Sequence, residues 1–187
     1  MEKQRCAWCT TDTLYTEYHD TEWGVPQRDS KKLFEFFILD GAQAGLSWLT
    51  ILRRRESYRA AFNGFDPERI ARYTEKDKNR LLNDEGIIRN RLKIDSAIKN
   101  AQCFLNMQQK GEDFSQWLWS WVNNKTVKNK FESLKDIPAS TNLSVEISKA
   151  LKERGFTFVG PTIVYAVLQS AGLVNDHLVS CFRYNEV

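Results

Sequence analysis

Histidine is the scarcest chemically useful residue in this chain. Only His19 and His177 occur among 187 residues, so any imidazole chemistry must draw on one or both of them. No apolar run approaches the ~20 residues that a membrane-spanning helix requires, and no membrane segment is expected. The N-terminus carries no apolar h-region, so secretion is not indicated. Repeats, low-complexity tracts and convincing strand pairs are also lacking. Charge of one sign is scarce as well: 27 Lys and Arg face 24 Asp and Glu, a net of +3, which by itself barely favours an acidic partner.

What is present is enough for a packed core. Hydrophobic residues make up 42% of the chain, which argues against wholesale disorder. The length suits one sizeable domain, or two small lobes sharing a core. Local basic clusters stand out at Arg53–Arg55, at Arg89, Arg91 and Lys93, and at Lys125, Lys128 and Lys130. Such clusters can hold phosphates, although a solvated helix face is the commoner use. The four cysteines are Cys6, Cys9, Cys103 and Cys181. In the reducing cytoplasm expected for this chain they point to metal binding or chemistry rather than disulfides.

The periodicity reads as all-α. Residues 1–28 look irregular and aromatic-rich. Asp29 or Ser30 caps a helix carrying Leu33, Phe34, Phe37 and Ile38, which Gly41 and Gly45 interrupt. Ser47 caps a second helix that runs on to Phe62. Asp66-Pro67 is a cap followed by proline at the first helical position, and Thr74 with Asp77 resembles a capping box. Ile94, Ile98, Ala101 and Leu105 keep helical register up to a stop at Gly111. Phe114, Trp117, Leu118, Trp121 and Val122 form an amphipathic stripe. Residues 123–142 look like a long polar connection. Two further helices end near Gly155 and Gly172. Short helices in this order predict one compact all-α unit of two lobes.

The stretch from Gly155 to Thr162 reads as a hairpin between helices. Gly155 can take the left-handed conformation at a helix end, Gly160 allows a close backbone approach, and Pro161-Thr162 opens the next helix. A helix N-terminus behind such a turn suits a phosphate oxygen, and an ordinary helical hairpin without a ligand fits the spacing equally well. This segment resembles the helix-hairpin-helix of DNA glycosylases. Further blocks extend the likeness: Tyr18–Pro26, Gln43–Trp48, Gly86–Arg91, Arg154–Gly160 and Gly172–His177. Together they resemble the bacterial 3-methyladenine DNA glycosylase I family, in order, between Cys6 and Cys181. The resemblance implies a single helix-hairpin-helix glycosylase domain over residues 1–187, with the hairpin at about 147–172. It also implies double-stranded alkylated DNA as partner, a monomer, and a bacterial cytoplasmic, nucleoid-associated location.

The resemblance further implies one structural zinc per chain, held by Cys6, His19, His177 and Cys181 and joining the chain ends. Two thiolates and two imidazoles are an ordinary tetrahedral set, and four protein ligands leave no open position for catalysis. His177 and Cys181 can face one metal if their segment is helical. A rival set replaces His19 with Cys9, because Cys6 and Cys9 form a C-x-x-C.

Excision of a duplex base requires that it leave the stack and enter a pocket with aromatic faces. The resemblance places Tyr18 and Trp48 against the damaged base, with Trp8 and Trp23 nearby, and Leu46 in the gap left in the stack. Asp40 would read the base edge and is the catalytic candidate. The family usually has Glu there, so the carboxylate is one methylene shorter. Asp40 as a cap for the next helix is the plain structural alternative. DNA-binding candidates are Leu46, Gly155, Gly160 and Thr162. Asn175 stands where many helix-hairpin-helix glycosylases carry a catalytic Asp, and an amide is not a base. Methylation at N3 supplies the compensating physics: the base is cationic and leaves as a neutral molecule. The sequence therefore predicts a monofunctional N-glycosylase for 3-methyladenine. A glycosylase for another alkylated base and a non-catalytic zinc-stapled DNA-binding module are the alternatives.

Overall fold

The computed structural model describes residues 3–9 and 12–187, and the chain is predominantly helical. Its centre is α2 (Ser30–Gln43), started by Asp29, whose carboxylate accepts from the Lys32 amide. Leu33 to Ala42 are all buried, so this helix is covered on every side. A helix that is apolar around most of its circumference belongs in the middle of a fold. Gly41 does not interrupt it. A Cβ there would meet the Phe158 Cβ at 3.7 Å, an ordinary van der Waals contact. The chain leaves the helix only at Ala44 and Gly45.

Before it, α1 (Thr13–Thr21) is capped by Asp12, where the sequence pattern pointed to irregular chain. The helix is short and mostly polar, so it lacks the apolar stripe that periodicity detects. After α2, Ser47 caps α3 (Trp48–Leu52), and α4 (Arg55–Ala61) follows a break at Arg53 and Arg54. The single helix expected to Phe62 is thus two. Next come α5 (Pro67–Ile70), capped by Asp66, and α6 (Glu75–Leu82), where Asp77 accepts from the Thr74 amide. The longest helix, α7 (Arg91–Gln109), packs against α2, α5 and α6. Then α8 (Phe114–Ser120) stops before Trp121 and Val122, which lie in a turn where Asn123 and Asn124 take positive φ.

The polar connection contains β1 (Val127–Lys128), paired in parallel with β2 (Val174–Asn175) in the register Val127 to Val174. Two-residue strands 47 positions apart leave no periodic trace, which is why no strand pair was expected. The last helices are α9 (Asn142–Glu153) and α10 (Pro161–Ser170), packed on each other and, through α10, on α2. Gly155 takes φ +90° at the end of α9. The turn between them is clamped by the buried Asn100 of α7. Its Oδ1 accepts from the Thr157 amide at 2.8 Å, and its Nδ2 donates to the Thr157 carbonyl at 2.9 Å.

Buried apolar side chains form one large cluster around α2, α7 and α10, and a smaller one containing Cys6, Tyr18, Trp23 and Cys181. Among the described residues, no helix is long and apolar enough to cross a membrane.

Candidate functional site

The smaller cluster joins the two ends of the described chain. Cys6, His19, His177 and Cys181 are all buried, and their ligand atoms lie within 4.8 Å of one another. Cys6 Sγ is 3.6 Å from His177 Nδ1, while Cys181 Sγ is 3.6 Å from His177 Nδ1 and 3.5 Å from His19 Nε2. The remaining ring nitrogens are engaged behind. His19 Nδ1 lies 2.8 Å from Asp20, itself paired with Arg5, and His177 Nε2 lies 3.1 Å from the Trp23 carbonyl. Such outer partners fix the rings with the inner nitrogens aimed at a common point. The bond with Cys181 and burial push the Cys6 thiol up, whereas the Cys6, His177 and His19 contacts hold Cys181 well below its ordinary range. Two soft sulfurs and two imidazoles with this closeness could hold a metal ion.

The segment that brings His177 and Cys181 together is not helical. A turn closes between them, with the Cys181 amide donating to the Leu178 carbonyl at 2.8 Å. Asn175 explains this shape: its Oδ1 accepts from the His177 amide, and its Nδ2 donates to the carbonyls of Tyr184 and Val187. Asn175 is wholly buried and spends its amide on holding the backbone. Cys9 lies outside the metal-competent group, with its sulfur 3.8 Å from Thr16 Oγ1.

A cavity of about 300 Å³ opens beside this group. Its walls include Trp8, Tyr18, Trp23, Asp40 and Trp48, so the structure brings together the five pocket residues expected from the sequence. Trp8 bridges the two sites, with its ring 5.0 Å from Trp23 and 5.1 Å from His19. Trp23 in turn packs edge-on against His177 at 4.5 Å. Tyr18 and Trp48 lie 5.5 Å apart at 45°. The metal-competent group therefore supports one aromatic wall directly.

Asp40 lies in the body of α2, so it caps nothing; Ser47 performs that task for α3. Its carboxyl is 5% exposed, and Ser170 Oγ is 3.5 Å away. Burial pushes its pKa up to about 8, against smaller lowering effects from Ser170 and Arg55. The Tyr18 phenol is pushed up as well, by burial and by the neighbouring Asp40 charge.

Leu46 stands 41% exposed on the turn after α2. Lys93 shapes that turn: its ammonium donates to the carbonyls of Ala42 and Ala44, both at 2.8 Å. Gly155 and Gly160 lie on the turn between α9 and α10 and Thr162 in the first turn of α10, and none of the three lines the cavity. A Cβ on Gly160 would meet nothing within 4 Å. Thr162 is the second residue of α10, so its amide has no acceptor within the helix. Lys149 and Lys152 flank the same surface beside Pro161.

Sequence reasoning missed the α10 wall of the cavity, formed by Ala166, Gln169 and Ser170, together with Leu134 and Ile137 from the polar connection. The available signal was the pair Gln169-Ser170, polar residues in the otherwise apolar second half of α10.

Comparison with known proteins gives a consistent answer. Residues 8–184 match the model of the methyladenine glycosylase family. The chain is 53% identical to DNA-3-methyladenine glycosylase 1 of Escherichia coli over 181 residues, 97% of each protein. It is 49% identical to DNA-3-methyladenine glycosylase of Haemophilus influenzae over 177 residues, covering 95% of this chain and 96% of that one. A crystal structure of a 3-methyladenine DNA glycosylase I superposes with a TM-score of 0.94 at 54% identity, over 96% and 98% of the two chains. The 3-methyladenine DNA glycosylase I of Staphylococcus aureus, solved to study recognition of 3-methyladenine, superposes with a TM-score of 0.92 at 40% identity, over 95% of each chain.

Proposed function

The chain belongs to the methyladenine glycosylase family, and from that premise we infer that it excises 3-methyladenine from alkylated DNA by hydrolysing the N-glycosidic bond, the first step of base excision repair. The observation that carries the reading to particular residues is the buried carboxyl of Asp40 in a cavity whose walls include five aromatic side chains.

The chemistry asks little of the protein as an acid or base. A base methylated at N3 carries a positive charge, and breaking its bond to the sugar releases it neutral. Aromatic faces stabilise such a cation as it sheds water, and Trp8, Tyr18, Trp23 and Trp48 supply them. Asp40 reads the base edge: ionised, it accepts from the exocyclic amine and favours the cation over neutral adenine. Its burial keeps the free site neutral up to about pH 8; a cationic base beside it favours the ionised carboxylate, and the proton leaves to solvent. Asn175, turned into the backbone, takes no part in the reaction. No lysine is among the described residues lining the cavity, so no Schiff base and no strand cleavage are expected, and an abasic site is the product.

A flipped base leaves a gap in the stack, and Leu46 on its Lys93-held turn fills it. The turn between α9 and α10 is the helix-hairpin-helix that grips the DNA backbone. Gly155 and Gly160 shape it, the Thr162 amide and its neighbours meet a phosphate, and Lys149 and Lys152 add charge. The whole chain acts as one domain and as a monomer.

The four-ligand group holds zinc. Metal–sulfur bonds of about 2.3 Å and metal–nitrogen bonds of about 2.0–2.1 Å at tetrahedral angles give a sulfur–nitrogen edge of roughly 3.6 Å. Three of the sulfur–nitrogen edges here are 3.5–3.6 Å, so the donor set fits. The ion is structural, tying the segment of Cys6 and His19 to that of His177 and Cys181 and steadying Trp8 and Trp23 through the imidazoles they touch.

Titration with free 3-methyladenine tests the pocket assignment. Saturable quenching of tryptophan fluorescence that adenine does not reproduce is expected. A response identical for both bases would contradict it.

A further inference from the structure

Asp176 directly follows the buried Asn175 at the end of β2. It is 1% exposed, and three side chains donate to its carboxylate. Tyr165 Oη and Gln169 Nε2 both donate to Oδ2, the latter at 2.8 Å, and Asn129 Nδ2 donates to Oδ1 at 2.7 Å. Asp176 does not line the cavity, but Gln169 does, on the same face of α10 as Ala166 and Ser170. A carboxylate only accepts hydrogen bonds, so the end of the Gln169 amide that meets Asp176 must be its nitrogen. With Nε2 tied down behind, Oε1 is the end left for the cavity. No hydrogen bond engages that oxygen among the described residues.

The geometry points to Gln169 as a specificity-determining residue whose amide oxygen, locked by the buried Asp176, selects a base with an amine rather than a carbonyl at position 6. This rests on the reading that the cavity receives a methylated purine. Adenine-type bases present an exocyclic N–H at that edge, and methylation at N3 makes it a stronger donor. Guanine-type bases present an acceptor oxygen there. Two acceptors face the bound cation: the Gln169 carbonyl from α10 and, once its proton has left to solvent, the Asp40 carboxylate from α2. A 6-amino base satisfies them, while a 6-oxo base sets acceptor against acceptor and leaves buried groups unpaired. A site built around such a hydrogen bond rejects the wrong partner far more strongly than apolar shape does. A free glutamine would blur the choice by rotating its amide to offer N–H instead. Asp176, which never touches the base, acts as a positioning residue by blocking that rotation, and Tyr165 and Asn129 hold Asp176 in turn.

The test compares release of 3-methyladenine and 3-methylguanine from the same dimethyl sulfate-treated duplex by the parent, Gln169→Met and Asp176→Asn proteins. Met keeps the length and removes the amide. The preference for 3-methyladenine is expected to fall about tenfold in Gln169→Met, the loss of one hydrogen bond to a charged base. Asp176→Asn, which places an amide against three donors, is expected to shift the preference in the same direction while Gln169 is intact. A purely structural defect would slow both releases in proportion, so a Gln169→Met preference within about twofold of the parent's would overturn the proposal, whatever the folding of Asp176→Asn. A parent protein that releases no 3-methyladenine would instead sink the excision reading itself.

Discussion

Replacing Asp40 by Asn should make the protein more stable and less active, with a stability gain that depends on pH. The carboxyl is 5% exposed and keeps its proton up to about pH 8, against 3.8 for an unburied aspartate. Below about pH 4 both the folded and the unfolded chain carry the proton, and burial costs nothing through ionisation. As the pH rises from there to 8, the unfolded chain ionises while the folded chain does not, so stability falls steadily. Above 8 the loss is complete. Each pH unit in that window is worth about 1.4 kcal/mol, so the full penalty reaches about 5–6 kcal/mol if the carboxyl stays dry. Solvent entering the cavity mouth lowers it, and about 3–5 kcal/mol is expected. Asn has the same shape and never ionises. For a chain of this size the Asp40→Asn protein should therefore melt roughly 10–15 °C higher than the parent at pH 8, with the difference shrinking steadily towards pH 5. Thermal unfolding followed by circular dichroism, each variant compared with the parent at the same pH, reads this directly. Equal melting temperatures at pH 8, or a gain that does not shrink on acidification, would refute the account of Asp40. A stabilising change at a binding site that weakens function is the expected trade.

Three further outcomes follow from the same structure. The kcat/KM for 3-methyladenine release should rise as Asp40 ionises near pH 8 and lose that rise in Asp40→Asn; Asp40→Glu should retain or increase activity and Asp40→Ala lower it, all read from initial rates against pH. Metal analysis should find one zinc per chain, lost in Cys181→Ser or His19→Ala but kept in Cys9→Ser, and chelation should lower the melting temperature by several degrees. Gly172→Ala should destabilise by about 3 kcal/mol or more, measured by urea unfolding, because φ is +69° and a Cβ would sit 2.6 Å from backbone atoms of Gly24, Val25 and Pro26.

Local chemistry made much of the fold legible. Asp29, Ser47, Asp66-Pro67 and the Thr74–Asp77 pair each mark a helix start that the structure contains, because capping depends only on a few neighbouring residues. Pairings across long stretches were not legible. The strands at Val127 and Val174 are too short for a pattern, and the break at Arg53 and Arg54 contains no glycine or proline to mark it. The metal-competent group shows the difference well. Its four residues could be named from type and resemblance, yet the four-residue spacing of His177 and Cys181 suggested a helical turn where a tight turn, shaped by Asn175, does the work. The aromatic wall was reachable only through resemblance, since Trp8, Tyr18 and Trp48 come from separate elements and spacing cannot make them converge. Gln169 and Ser170 stayed hidden because Val164, Val167 and Leu168 mark α10 as a core helix, and only the packing of α10 on α2 turns its polar pair towards Asp40.

The most direct test of the central claim is to incubate the purified protein with methylated duplex DNA and identify the bases set free by chromatography. Release of 3-methyladenine well above the buffer control, with abasic sites left in uncut strands, is the predicted result. No release above the control, in protein shown to be folded and metal-loaded, would contradict it.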